Sequence, residues 1–127
     1  DKDRESVQLM QNFKDAFSNY YNWLLPQTWN IGEGWEKIIE LHGMDSFDVA
    51  LVLKVVPVVK RVDPALLEQL MQIPARTVVI SGVKESMVKK HDIEHKERRA
   101  ITQFITASTR TVKAEFELEN EFFIVIE

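Results

Sequence analysis

Hydrophobic and polar positions along this chain change period several times, and each change predicts an element. Over residues 4–25, Val7, Met10, Phe13, Phe17, Tyr20 and Leu24 recur at three- and four-residue spacing, with Lys14, Asp15 and Ser18 between them. That is an amphipathic helix with one core-facing stripe, ended by Pro26. A shorter helix is expected from Glu33 to His42, where Trp35, Ile38, Ile39 and His42 keep helical register and Gly43 stands as the C-terminal cap. The most apolar run follows, Phe47 to Val59, FDVALVLKVVPVV. Phe47, Val49, Leu51, Leu53 and Val55 fall on one face and Asp48, Ala50, Val52, Lys54 and Val56 on the other. Such a continuous β-branched run predicts an interior strand flanked on both sides. Pro57 cannot donate a ladder hydrogen bond, so pairing is expected to stop there, with Lys60 and Arg61 carried towards water.

Beyond it, Asp63-Pro64 has the chemistry of a helix start: the carboxylate can cap free amides, and proline suits the first helical position. Leu66, Leu67, Leu70 and Met71 give that helix an apolar face, Pro74 stops it, and Arg76 to Gly82 (RTVVISG) reads as a second strand. Strand, helix and strand in close succession make a βαβ unit with parallel strands. Residues 84–107 form a further helical stretch, broken near His91-Asp92, with a later stripe of Ile93, Ala100, Ile101, Phe104 and Ile105. Thr111 to Glu119 alternates, Val112, Ala114, Phe116 and Leu118 against Lys113, Glu115, Glu117 and Glu119, as a half-buried strand does. Asn120-Glu121 then turns the chain into a last strand, Phe122 to Ile126. The order ααβαβαββ describes an α+β (or α/β) single domain over residues 1–127, with a four-stranded mixed sheet, one βαβ unit, a C-terminal β-hairpin and helices packed on the sheet.

Composition narrows the function classes. A chain of 127 residues with 45% hydrophobic content can build one core without staples. It has no cysteine, which removes disulfides, thiolate metal sites and thiol nucleophiles together. With a polar N-terminus unlike a signal peptide, this leads to the expectation of a cytoplasmic protein. No apolar run approaches the roughly 20 residues that cross a bilayer, so no membrane partner is expected. The chain begins without Met and ends inside an apolar strand, as a piece of a longer chain would. Net charge is −4, unevenly spread. Residues 84–113 hold eight basic side chains (Lys84, Lys89, Lys90, Lys96, Arg98, Arg99, Arg110, Lys113) against four acidic ones, whereas residues 114–127 hold five acidic and none basic.

Little in the sequence points to catalysis. Gly32 and Gly34 lack the following Lys-Ser/Thr of a phosphate loop, and no serine sits in a G-x-S-x-G context. His91-Asp92-Ile93-Glu94-His95 has H-x-x-E-H spacing and resembles the zinc motif of the inverzincin peptidases. The resemblance implies His91 and His95 as metal ligands one helical turn apart and Glu94 as a base, in a metal-dependent hydrolase. Lys89, Lys90, Lys96, Arg98 and Arg99 crowd the same segment and repel a divalent cation, so no metal, cofactor or catalytic residue is assigned and the two histidines stand as a weak candidate.

Two other readings come first. The leading one is a non-catalytic protein-interaction or assembly domain that binds a protein partner or itself. Its anchors are Tyr20, Tyr21, Trp23, Trp29 and Trp35, of the types enriched at interface hot spots. The acidic row Glu115, Glu117 and Glu119 would complement the basic helix between subunits. The alternative is a nucleic-acid-binding module in which Lys84, Lys89, Lys90, Lys96, Arg98, Arg99, Arg110 and Lys113 follow a phosphate backbone. Glu94 and Arg98 are spaced as an i,i+4 ion pair, and no aromatic side chain lies within residues 84–103 to stack on a base.

Overall fold

One left-handed residue, Lys54 (φ 60°), ends the most apolar strand and redirects the chain behind it. The computed structural model describes residues 2–16, 26–86 and 93–127, which fall into two units, Asp1–Glu33 and Gly34–Glu127. The first unit contains helix α1 (Lys2–Ala16) and a single 3-10 turn at Ile31–Glu33. The turn closes locally: the Asn30 carbonyl accepts from the Glu33 N–H at 2.9 Å and the Asn30 Oδ1 accepts from the Gly32 N–H at 2.9 Å. Of the expected α1 stripe, Val7 is half-buried, while Met10 and Phe13 are exposed, so the described part of the stripe is not closed off from solvent. Phe17, Tyr20 and Leu24 lie outside the described residues.

The second unit carries the whole sheet. In chain order it runs α2 (Glu36–His42), β1 (Phe47–Leu53), α3 (Val55–Val62), α4 (Leu66–Met71), β2 (Ala75–Val83), α5 (Glu94–Ala107), β3 (Val112–Leu118) and β4 (Glu121–Ile126). The α+β class and the four-stranded mixed sheet are those expected. Gly43 caps α2 in the left-handed conformation (φ 60°), its N–H reaching the Glu40 and Ile39 carbonyls, and the Met44 N–H returns to the Ile39 carbonyl. The indole N–H of Trp35 donates to the Gln69 carbonyl at 2.7 Å and fixes the start of α2 against the end of α4.

Strand order is β1-β2-β4-β3, with β1/β2 parallel and both β2/β4 and β3/β4 antiparallel. The run at 47–59 therefore differs from its expected place in two ways. It forms an edge strand, with Leu51 66% exposed, while β2 and β4 occupy the middle. It also stops at Leu53: Lys54 turns, its N–H held by the Ser81 carbonyl (3.2 Å) and hydroxyl (3.1 Å), and residues 55–62 coil into α3. Pro57 fits there because it occupies the first helical turn, whose N–H groups have no intrahelical acceptor. Valine-rich composition favoured a strand, but Val56 and Pro57 are buried on the inner side of a helix, where tertiary packing overrides propensity.

Register assigns the two faces. Ala50 and Val52 lie beside Val78 and Ile80, which lie beside Ile126 and Ile124, and Gly82 faces Phe122. This face meets α3 and α5, and its core includes Val56, Ile80, Ile101 and Ile126, each at 0% exposure. Burying side chains of this size contributes about 1.5–3 kcal/mol apiece. Gly82 is required here: a Cβ would sit 2.4 Å from Phe122 Cζ. The opposite face presents Val49, Leu51, Leu53, Phe116 and Leu118, all exposed, with Phe116 stacked on Phe123 at 4.8 Å between centroids.

For β3 this reverses the expected sides. Glu115 pairs with Ile124 and Glu117 with Phe122, so the acids lie on the helix-covered face, while Phe116 and Leu118 point to the open one. Every residue of β3 is exposed, since it is the other edge and the helical layer thins out above it. Its hairpin turns through Glu119, left-handed at φ 43°.

Candidate nucleic-acid interface

Helix α5 packs through Ala100, Ile101, Phe104 and Ile105, which fixes its rotation and sends its basic residues to two different flanks. Arg98 lies one turn from Ile101 on the side of β3. Its Nε donates to Glu94 Oε1 at 2.6 Å and its Nη2 to Glu117 Oε1 at 2.9 Å, with Glu115 Oε2 at 3.7 Å from Nη1. The guanidinium also sits 4.2 Å from the centre of the Phe122 ring. The hydrogen bond to Glu94, with the three nearby carboxylates, holds the Arg98 pKa above its usual value. Lys84 completes the cluster by donating to Glu117 Oε2 at 2.7 Å. That bond raises the Lys84 pKa and, as the largest cause, lowers that of Glu117.

Other cations are also occupied. Arg110 forks onto the carbonyls of Ile73 (2.9 Å), Ala75 (2.7 Å) and Arg76 (3.2 Å), clamping the start of β2. Lys113 lies 4.0 Å from Glu127. Lys96 and Arg99 differ: both are exposed, and neither has an ion pair among the described residues. Lys89 and Lys90 lie outside the described residues.

The flank of α5 bearing Lys96 faces α3 across a groove of about 460 Å³, whose lining includes Lys60, Arg61, Lys96, Glu97 and Pro57. Lys60 donates to the neutral Gln103 Oε1, and Arg61 is exposed. Lys60 and Arg61 were absent from the basic segment read in the sequence. The available signal was the Lys-Arg pair closing an apolar run that precedes a helix, which places cations at a helix C-terminus beside whatever packs there.

The remaining candidates scatter. Tyr20, Tyr21, Trp23 and His91 lie outside the described residues, Trp29 is half-buried in the first unit, and Trp35 is half-buried in the second with its N–H used on Gln69. Glu115 and Glu117 serve Arg98 and Lys84, and Glu119 forms the hairpin turn. His95 is exposed, Glu94 is held by Arg98, and among the described residues no group of three or more His, Asp or Glu side chains could take a metal. Among the same residues no helix is long and apolar enough to cross a membrane.

No family model matches this chain, and no curated protein matches it. Solved structures do. The chain is similar to the 16S rRNA methylase ArmA at 23% identity, with a TM-score of 0.50, covering 64% of this chain and 40% of that one. It is also similar to the 16S rRNA methyltransferase RmtF, solved with S-adenosyl-L-homocysteine, at 21% identity and a TM-score of 0.50, covering 63% of this chain and 31% of that one. The likeness is one of fold, and the chain spans less than half the length of either. It corrects the leading expectation of a non-catalytic, self-associating interaction domain: the chains sharing this fold are described as rRNA-methylating enzymes. The structure supplies the physical reason, because Arg98 of the basic helix and Glu115 and Glu117 of the acidic row, which were to pair between subunits, pair within one chain.

Proposed function

We propose that this chain forms the RNA-contacting part of an RNA-modifying enzyme, with the solvent-facing flank of α5 lying along a phosphate backbone. One observation carries the reading: among the described residues Lys96 and Arg99 have no ion pair, on a helix whose other flank is neutralised by its own sheet. The fold likeness to rRNA methylases supports RNA as the polyanion. The cytoplasmic location expected from composition belongs to the same reading. RmtF is described with S-adenosyl-L-homocysteine. The four glycines here lie at the 3-10 turn and just after it (Gly32, Gly34), at the α2 cap (Gly43) and inside β2 (Gly82), so none makes a glycine-rich strand-to-helix turn and no residue of this chain is assigned to such a group.

Fluorescence anisotropy with a labelled RNA hairpin tests the proposal. Binding at low salt is expected, with log affinity falling linearly in log salt as counterions are released. Lys96→Ala with Arg99→Ala should weaken it by roughly tenfold, about 1.4 kcal/mol. Absence of salt-dependent binding by the unaltered chain would sink the proposal.

A further inference from the structure

We propose that the groove between α3 and α5 seats a phosphodiester of the RNA, gripped by Lys60, Arg61 and Lys96, and takes no part in reading bases. The inference rests on the RNA-binding reading above and deepens it by naming the moiety bound. A volume of about 460 Å³ lies within the range of small-ligand sites and exceeds what a single inorganic anion fills. Among the described residues three cations line it against one carboxylate, Glu97. That carboxylate is turned to the end of β2, where its Oε2 accepts the Val83 N–H at 3.4 Å. Lys60 gives one N–H to Gln103 and retains two for a phosphate oxygen. Arg61 supplies a planar fork that matches two phosphate oxygens at once.

The floor argues against base readout. Pro57 has no N–H to offer a base edge, Ala100 has no polar side-chain atom, and among the described residues no aromatic ring lines the groove for stacking. A cationic rim over such a floor attracts the backbone and is indifferent to sequence.

Two labelled RNA hairpins of unrelated sequence, each titrated at several salt concentrations, test this. Lys60→Ala with Arg61→Ala should weaken both hairpins equally, by about tenfold at low salt, and make the log–log salt slope shallower by roughly one to two. Lys60→Arg with Arg61→Lys should restore the salt slope, which follows charge, and recover only part of the affinity, since lysine at 61 lacks the fork. Gln103→Ala should leave them unchanged, which separates lost charge from a lost hydrogen bond, and circular dichroism of each variant confirms the fold. Affinity and slope unmoved by the double alanine variant, while Lys96→Ala with Arg99→Ala still weakens binding, would overturn the groove assignment and leave the RNA reading standing. Loss confined to one hairpin would overturn the claim that bases go unread. Failure of the unaltered chain to bind either hairpin would overturn both.

Discussion

The two flanks of α5 take the same kind of side chain into opposite circumstances. Towards β3, Arg98 meets Glu94, Glu115 and Glu117 and lies over the Phe122 ring. Towards α3, among the described residues, Lys96 meets two further cations and one carboxylate already directed at the backbone of β2. Charge along the sequence does not separate these cases, because residues 84–113 carry a basic excess with acids interleaved throughout its helical part. What separates them is whether the sheet carries a counterion to that side. One flank is therefore structural, and the other is left with charge to offer a ligand.

The largest test attacks the support beneath Arg98. Gly82→Ala would place a methyl 2.4 Å from Phe122 Cζ and 3.1 Å from Ile101 Cδ1, forcing a ring that is only 1% exposed to move. Overpacking of this kind costs about 1–3 kcal/mol, read as a lower urea midpoint. Below the unfolding transition RNA affinity should change little. Arg98→Ala comes next: it removes one ring contact and three solvent-screened ion pairs, together about 1–2 kcal/mol. Lys96→Ala with Arg99→Ala should move stability by no more than about 0.5 kcal/mol. The contrast between flanks fails if the latter pair destabilises as much as Arg98→Ala, or if Arg98→Ala weakens RNA binding as strongly as they do.

How far the sequence foretold this arrangement depends on the residue. Alternation identified β3, and the spacing of Glu94 and Arg98 identified their ion pair, because both features are local. The caps were equally legible at Gly43, where a left-handed residue closes a helix. Which side of β3 faces the helices was not legible. It depends on the pairing of Glu117 with Phe122, a relation between strands that no single strand encodes, and apolar alternation pointed to the wrong side. The run at 47–59 misled for a related reason: valine content describes burial, and α3 buries Val56 as fully as a strand would. The groove was half visible, since Lys96 was named while Lys60 and Arg61 lay on a segment read as strand exit.

The smallest effect, and the one most specific to the neutralised flank, is its response to acid. Glu117 has a lowered pKa in the folded chain, chiefly through the hydrogen bond from Lys84 and then that lysine's charge. A carboxylate with a depressed folded-state pKa contributes stability above the unfolded value, and loses it as pH falls through the depressed one. Lys84 has the opposite sign: raised by the same bond, it contributes below the usual lysine value and loses that as pH climbs through the raised one. The docking of β3 on α5 is thus expected to hold across neutral pH and to weaken at both extremes. Side-chain carboxyl shifts followed by NMR should show Glu117 titrating below the ordinary glutamate range, and in Lys84→Met that value should rise. An unchanged Glu117 titration in Lys84→Met would mean that the lysine does not supply the counterion, and the neutral character of this flank would rest on Arg98 alone.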